Sequence, residues 1–156
     1  MEALRPRRLW WARPRKLCAL ERPGGGGRSH RPRRREAEIA YLKLSGVRLV
    51  VSVMGTRHNL ADYERAGLEW VHLPVKSESE EPDVLEQLLP LLRRELRARG
   101  AVALHGNRHT DFAAAVCVAH LHDSRGADPR ESLAAAARAG LTITSAARAL
   151  VGVDGE

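Results

Sequence analysis

The chain has 156 residues, of which 44% are hydrophobic and only 4% aromatic, so we expect one domain with a core of Leu, Val and Ala. No apolar run approaches the roughly 18 residues of a membrane-spanning helix. Two cysteines, Cys18 and Cys117, are too few for a disulfide framework or a cysteine-ligated metal. These features exclude membrane-spanning and disulfide-rich classes and predict a cytoplasmic protein without a cofactor.

The net charge of +7 is concentrated at the N-terminus. Residues 1–35 have 12 basic and 2 acidic residues and carry +10, whereas the remainder has 14 basic and 17 acidic residues and carries −3. We predict a flexible basic arm over 1–15, a domain over 16–152 and a tail over 153–156. Binding of nucleic acid or an anionic membrane through residues 1–35 is one interpretation. A solvated tail and an organelle transit peptide are the alternatives.

Apolar segments separated by breaker residues predict the elements in chain order. Strands are predicted at 16–20, 47–53, 68–75 and 101–105. Helices are predicted at 36–46, 59–67 and 83–100, with three more between 111 and about 150. The third helix is expected to be interrupted or kinked near Pro90. The predicted helix N-caps are Asn59, Asp128 and Thr144.

Strands that alternate with helices indicate an α/β fold with three layers, in which helices flank a mainly parallel sheet of about four strands. Ligands bind such sheets at the carboxyl ends of the strands. The loops expected to form a site are therefore 54–58, 75–82 and 105–111. The acidic side chains of the second loop are interpreted as solvated: Glu78, Glu80 and Glu81.

The loop at 105–111 joins a buried strand to a helix that is predicted to begin near Thr110 or Asp111. The free N–H groups and positive partial charge of a helix N-terminus attract oxyanions. The anion-binding candidates are His105, Gly106, Asn107, Arg108, His109, Thr110 and Asp111, together with Arg57 on the neighbouring loop. The alternatives are a helix cap for Asp111 and solvated loop positions for the two arginines.

Segments spread over about residues 9–152 resemble the cysteine-dependent dual-specificity and tyrosine phosphatases, particularly the small atypical single-domain kind. Trp11 with RKLCALERPGG is similar to the opening segment of that family, and YLKLSGVRLVVSV to its next helix and strand. YERAGLEWVHLPV and EEPDVLEQLLPLL are similar to a later strand and helix. VALHGNRHTDFAAAVCVAHL aligns without a gap with the phosphate-binding loop and its flanking elements. The resemblance implies the three-layer phosphatase fold.

The matched positions lack the groups that this family uses for catalysis. The family loop reads H-C-x-x-x-x-x-R, in which a thiolate attacks phosphorus and a guanidinium binds the phosphoryl oxygens. Here Gly106 takes the position of the cysteine and Phe112 that of the arginine. The aspartic acid that protonates the leaving group in the family corresponds to Val75 or Lys76. The resemblance therefore implies a member with no intact catalytic residue, a pseudophosphatase.

Three functions follow from these observations. The first is a binding or regulatory domain that recognises a phosphorylated protein or a small anion through the 105–111 loop. The second is a diverged hydrolase that uses His109 or His105, and the third is an anionic-polymer or membrane binder that uses the basic arm. Cys117 is interpreted as a small core residue. A metal site is not expected, because the side chains of His105, His109 and Asp111 diverge on a curled loop.

Overall fold

The computed structural model of the chain describes residues 2–25, 31–106 and 110–153, and a five-stranded sheet forms its centre. The strands are β1 (Trp10–Arg13), β2 (Leu17–Ala19), β3 (Val47–Ser52), β4 (Glu69–His72) and β5 (Ala101–His105). Their order in the sheet is β1-β2-β5-β3-β4. β1 pairs antiparallel with β2, and the other neighbouring strands are parallel. The predicted α/β fold is confirmed, with one strand more than expected.

Helices cover both faces of the sheet. They are α1 (Pro32–Leu44), α2 (Leu60–Arg65), α3 (Glu81–Glu95), α4 (Asp111–Arg125), α5 (Pro129–Arg138) and α6 (Ser145–Leu150). α1 and α2 contribute to one apolar core, and α3, α4 and α5 to the other. β5 is buried along its whole length, as its continuous apolar sequence predicts for a strand covered on both sides. No helix of the described residues is long and apolar enough to cross a membrane.

Two of the three predicted N-caps are present. Asp128 accepts a hydrogen bond from the Arg130 N–H, and Thr144 Oγ1 accepts one from the Ala147 N–H. Asn59 precedes α2 with a left-handed backbone (φ 73°), and its side chain makes no capping bond. The prediction of a side-chain cap at Asn59 is wrong, because this side chain is buried and bonded to tertiary partners instead.

The N-terminal residues lie against the domain, which differs from the predicted arm over 1–15. Trp10–Arg13 form β1, and both Leu9 and Trp10 are buried. Further upstream, the Leu4 N–H donates to the Ala37 carbonyl in α1 (3.0 Å). Burial of apolar side chains stabilises this arrangement even though arginines surround them in sequence. At the other end Val153, predicted as the first tail residue, is also buried.

The structure around the third predicted helix differs from the prediction in two respects. The expected acidic loop contains a 3₁₀ turn, Glu78–Glu80, in which Ser77 and Glu80 form a capping box. α3 follows directly and is continuous through Pro90, so the predicted interruption is wrong, and the alternative of a kink stays a prediction. Leu88 and Leu92, on either side of this proline, are fully buried, and their packing holds the helix together.

The loop after β2 is fixed to α1 by a buried carboxylate. Glu38 accepts a hydrogen bond from the Gly24 N–H (2.7 Å) and pairs with Arg34 (3.1 Å). Gly24 has a φ of 86°, and a Cβ there would lie 2.7 Å from Cβ of Arg35. Only glycine fits this close approach. The contact fixes the position of the neighbouring Arg22.

Candidate functional site at the carboxyl ends of the strands

A pocket of about 240 Å³ opens beyond the carboxyl ends of β3, β4 and β5, where the strand pattern predicts a crevice. Its wall consists of Val53, Val75, Lys76, Ser77, Glu78, Glu81, Gly106, Asp111 and Phe112. The fold thus brings to one pocket the positions matched to the phosphatase nucleophile, arginine and acid. We call this space the crevice pocket.

His105, the last residue of β5, lies behind the loop and does not form part of the pocket wall. Its ring is fully buried, with Nδ1 2.9 Å from the Gly106 carbonyl oxygen. Because a carbonyl only accepts, Nδ1 carries the proton and Nε2 accepts a hydrogen bond from the Tyr63 hydroxyl, 2.6 Å away. Burial, followed by the charge of Arg22, lowers the pKa of His105 to about 4. The ring is therefore neutral at neutral pH.

Tyr63 belongs to a row of buried polar side chains. Asn59 Nδ2 donates to the Tyr63 hydroxyl (3.3 Å) and also to the Pro23 carbonyl (2.8 Å). Asn59 Oδ1 accepts from Arg22 Nε (3.2 Å). Burial raises the pKa of Tyr63 well above its ordinary value, so the phenol keeps the proton that it donates to the imidazole. We call the four residues Arg22, Asn59, Tyr63 and His105 the supporting chain, since they connect the loops after β2, β3 and β5.

The side of the loop that faces the crevice pocket is different in character. Gly106 contributes no side chain, Phe112 is buried in the apolar core, and Val75 packs against that core. None of these three side chains carries a hydrogen-bonding or nucleophilic atom. Gly106, Phe112 and Val75 therefore offer no reactive group where the resemblance places a thiolate, a guanidinium and a carboxyl group, and Lys76, the alternative match for the carboxyl group, carries an ammonium group instead.

Carboxyl groups outnumber basic groups in the described wall of the crevice pocket. Glu78, Glu81 and Asp111 line it together with a single ammonium group, that of Lys76. Burial, followed by the charges of Asp111 and Glu78, raises the pKa of Glu81 to about 7. The pocket therefore gains negative charge as the pH rises through this value, which weakens the attraction for any anion.

The described residues bring neither a thiol nor a metal-binding cluster to the pocket. Cys18 lies in β2 and Cys117 in α4, and both are fully buried away from the pocket wall. Burial raises the pKa of Cys117 to about 12 and that of Cys18 well above its ordinary value, so both thiols stay protonated. No three His, Cys, Asp or Glu side chains of the described part are arranged to hold a metal ion.

The remaining loop candidates have different surroundings. Thr110 is fully buried, and its Oγ1 accepts from the Thr142 N–H (2.7 Å). Asp111 lines the pocket and accepts a hydrogen bond from the Thr144 hydroxyl (3.0 Å). These two bonds attach the start of α4 to the segment before α6. Three predicted candidates lie outside the described residues: Asn107, Arg108 and His109.

Arg57, the anion-binding candidate on the loop after β3, is exposed and does not line the crevice pocket. Its guanidinium lies over the ring of Trp70, 5.4 Å from the ring centroid. Such a cation–π contact stabilises a surface arginine modestly. Anion binding by Arg57 stays a prediction.

The sequence does not predict the supporting chain or the position of Glu81 in the pocket wall. Tyr63 and His105 are 42 positions apart, and no local pattern predicts their contact. The four-residue spacing of Asn59 and Tyr63, which places them on one face of a helical turn, is the signal that was present. Residues 76–81 are polar throughout, with Glu78 and Glu80 close to Glu81, and this pattern predicts a solvated loop.

Comparison with protein-family models finds no match, and neither does comparison with curated proteins. Solved structures do match, over nearly the whole chain. Tk-PTP in its active form is 20% identical, with a TM-score of 0.69 over 92% of this chain and 92% of that one. Human DUSP28 is 19% identical, with a TM-score of 0.69 over 97% and 94%. The chain has the protein-tyrosine phosphatase fold.

A bacterial neighbour shows the same likeness. P. aeruginosa TpbA is 21% identical, with a TM-score of 0.66 over 96% of this chain and 87% of that one. A cysteine-to-serine variant of TpbA has also been solved in complex with phosphotyrosine. At this level of identity the likeness shows the fold alone, so the activity has to be argued from the residues of the crevice pocket.

Proposed function

We propose that this chain is a pseudophosphatase, a phosphatase-fold binding or regulatory domain that does not hydrolyse phosphate esters. The observation that carries the proposal is Gly106 in the pocket wall, while both thiols of the chain are buried and protonated elsewhere. Loss of an attacking group alone lowers enzymatic rates by many powers of ten, and the remaining groups do not compensate. Phe112 and Val75 stand at the positions matched to the arginine and the aspartic acid on which the family's chemistry also depends.

The proposed ligand is a phosphorylated residue or a small anion held by the backbone N–H groups of the 105–111 loop. The phosphotyrosine complex of the TpbA variant, a protein of the same fold, supports this ligand class. The carboxyl groups in the pocket wall make the expected affinity for this anion depend on pH. Because Glu81 ionises around pH 7, the affinity for an anion is expected to be higher below this pH than above it.

Hydrolysis of an aryl phosphate tests the catalytic half of the proposal. The wild-type chain is expected to release phenolate at the solvent rate, and His109→Ala and Cys117→Ser are expected to change nothing. Turnover far above background that His109→Ala abolishes would establish the diverged hydrolase instead. Turnover abolished by Cys117→Ser would mean that the buried thiol reaches substrate, which also contradicts the proposal.

Anion binding is tested separately by calorimetric titration with tungstate at pH 6 and pH 8. The wild-type chain is expected to bind more tightly at pH 6. Glu81→Gln removes the charge that changes between these conditions, so its affinities at the two pH values should converge. Glu86→Gln is the matched control, because Glu86 is exposed on the same helix and outside the pocket wall. Absence of binding to all three proteins at both pH values would reject anion recognition and leave a purely structural role.

The two alternative functions are supported less well. As a nucleophile His105 is disfavoured, because its ring is fully buried and both nitrogens are hydrogen-bonded. Binding of nucleic acid or an anionic membrane through residues 1–35, and a cytoplasmic location, stay predictions. Since this segment includes β1 and β2, its charge is better tested by Arg7→Gln and Arg15→Gln at exposed positions than by deletion. A steep salt dependence that these substitutions reduce would support nucleic-acid binding.

A further inference from the structure

A second surface lies at the amino ends of the parallel strands, opposite to the crevice pocket. Three segments meet there, namely the turn 14–16, the end of α1 at 43–46 and the stretch before β5 at 97–100. Lys16 Nζ donates to the carbonyl oxygens of Ala98 (3.0 Å) and Gly100 (3.3 Å). The Ala101 N–H donates to the Gly46 carbonyl (2.9 Å). These bonds hold the three segments together, and we call the surface that they form the amino-end face.

The amino-end face is strongly basic. Its segments contain no acidic residue and five basic residues: Arg15, Lys16, Lys43, Arg97 and Arg99. The three arginines are exposed, and within the described part of the chain none of them has an ion-pair partner or a side-chain hydrogen bond. Glu69 and Glu95 flank the face, and Arg48 binds both carboxylates (3.2 and 3.1 Å). The face therefore presents positive charge that nearby acids do not compensate.

Apolar side chains are exposed among these charges. Leu44, the last residue of α1, is 80% exposed, more than any other large apolar side chain of the described residues. The next residue, Ser45, lines a pocket of about 300 Å³ together with Trp11, Pro14 and Arg15. Contact with an apolar phase would stabilise both the leucine and the partly exposed indole.

The combination of charge and apolar surface indicates the kind of partner. Nucleic acid is polyanionic, but its phosphate backbone offers no apolar contact to an exposed leucine. An anionic bilayer offers negative headgroups and, directly beneath them, acyl chains. Leucine and tryptophan enter that boundary, while arginine side chains extend to the level of the headgroups.

We propose that the amino-end face docks on an anionic lipid bilayer, with Leu44 and Trp11 at the boundary of the acyl chains and the three arginines at the headgroup phosphates. Such a surface needs the folded domain, because hydrogen bonds between distant segments form it. Leu44, Arg97 and Arg99 lie outside residues 1–35, so the surface is distinct from that basic segment.

Docking of this face leaves the crevice pocket accessible. The pocket opens at the carboxyl ends of the same strands, and β5, which separates the two surfaces, is about 16 Å long. Anionic headgroups repel the carboxyl groups of the pocket wall, which disfavours the reverse orientation. Membrane docking is independent of the proposed function, because the two surfaces share no residue.

The experiment is cosedimentation of the full chain with vesicles of phosphatidylcholine that contain roughly 30% phosphatidylserine, at low and at high salt. Vesicles of phosphatidylcholine alone are the reference. The wild-type chain is expected to bind the anionic vesicles about tenfold more tightly, and high salt should reduce this preference. Arg97→Gln and Arg99→Gln should each weaken binding about fivefold at low salt, since each removes one charge. Leu44→Ser should weaken it about fivefold at both salt concentrations, because salt does not screen apolar burial.

Two matched variants control for charge and for apolar area. Arg33→Gln removes an exposed charge in the first turn of α1, about 16 Å along the helix from Leu44. Leu4→Ser changes the second exposed leucine, whose backbone N–H donates to the Ala37 carbonyl in α1. Both variants should bind vesicles like the wild type. All substituted side chains are exposed, so every variant is expected to fold.

A wild-type chain that binds both kinds of vesicle equally, or neither of them, would overturn the proposal. Unchanged affinity in Leu44→Ser would do the same, because the basic face would then recognise charge alone. A parallel titration with duplex DNA identifies nucleic acid as the occupant in that case. Loss of binding in Arg33→Gln but not in Arg97→Gln or Arg99→Gln would assign the binding to residues 1–35 and contradict the amino-end face.

Discussion

The two sides of the 105–111 loop differ in their side chains: those behind it form hydrogen bonds that support the fold, and those at the matched catalytic positions in front of it do not. Behind the loop, the supporting chain is buried, with its hydrogen bonds formed between Arg22, Asn59, Tyr63 and His105. In front, the matched catalytic positions hold glycine, phenylalanine and valine. The polar contacts behind the loop contribute to stability whatever the loop binds, whereas the side chains of Phe112 and Val75 in front form no hydrogen bond. Substitutions behind the loop should therefore lower stability, and substitutions in front should mainly change the pH response.

The largest effect is expected for His105→Ala. This change leaves a cavity in a fully buried position and removes the acceptor of the Tyr63 hydroxyl. We expect a loss of about 3 kcal/mol in the free energy of unfolding, measured by urea denaturation. His58→Ala, at an exposed position, is the control and should stay within about 0.5 kcal/mol of the wild type. A loss below about 1 kcal/mol for His105→Ala would show that the back of the loop does not stabilise the fold.

His105 also makes the free energy of unfolding depend on pH in the acid range. The pKa of His105 falls from 6.5 to about 4 in the folded chain, so the unfolded chain binds more protons between these values. Stability is therefore lost as the pH falls from about 6.5 to about 4. The difference in stability between the wild type and His105→Ala should shrink over this interval, and a constant difference would contradict a neutral buried ring.

Glu38→Gln is expected to have the next largest effect. The buried carboxylate accepts from the Gly24 N–H and from Arg34, and it thereby holds the loop that carries Arg22. Loss of the charge from these bonds should cost about 2 kcal/mol in urea denaturation. Glu36→Gln on the same helix is exposed and should be neutral. Equal stability of the two variants would show that Glu38 does not stabilise the loop that carries Arg22.

Tyr63→Phe deletes one hydroxyl and keeps the ring. His105 Nε2 loses its donor, while Asn59 Nδ2 keeps its bond to the Pro23 carbonyl. The expected cost is about 1 kcal/mol. Tyr41→Phe serves as the control, because no side-chain hydrogen bond of Tyr41 is present in the described structure. A cost for Tyr63→Phe no greater than that for Tyr41→Phe would mean that the short Tyr63–His105 contact contributes nothing to stability.

The smallest effect is expected in front of the loop, at Glu81. Its pKa is raised from 4.5 to about 7 in the folded chain, so wild-type stability falls as the pH rises between these values. Glu81→Gln should match the wild type near pH 4.5 and exceed it above pH 7. The gain should be under about 1 kcal/mol, because solvent screens this partly exposed group. Thermal melts over this pH range measure it, and a gain that is independent of pH would contradict the assigned shift.

The parallel part of the fold could be predicted because its information is local. VRLVVS and AVALH are short runs composed mostly of apolar residues, and Asp128 and Thr144 are capping residues directly before their helices. β1 could not be predicted, because Trp10, which it buries, stands close to arginines in the sequence and its partner strand lies beyond a turn. The positions of Gly106, Phe112 and Val75 on one pocket wall follow from the resemblance, whereas their proposed inactivity awaits the hydrolysis assay.

The hydrogen bonds of the supporting chain could not be predicted from the sequence for a different reason. Each of its contacts except that between Asn59 and Tyr63 joins residues far apart in the chain, so their pairing depends on how the sheet brings the strand ends together. The raised pKa of Glu81 has the same origin, since it results first from burial in the folded domain and then from the charge of Asp111 on another helix. Local patterns predict which segments fold, and the tertiary structure decides which side chains then share a charge or a proton.

The antiparallel strand β1 also protects the molecule from association. It covers the backbone N–H and C=O groups of β2, which would otherwise offer a template for a strand of another copy. β1 itself is short and has an irregularity between Trp11 and Arg13, features that discourage further strand addition at this outer margin. Chains shortened to begin after residue 13 should therefore be prone to aggregation even though every parallel strand is retained.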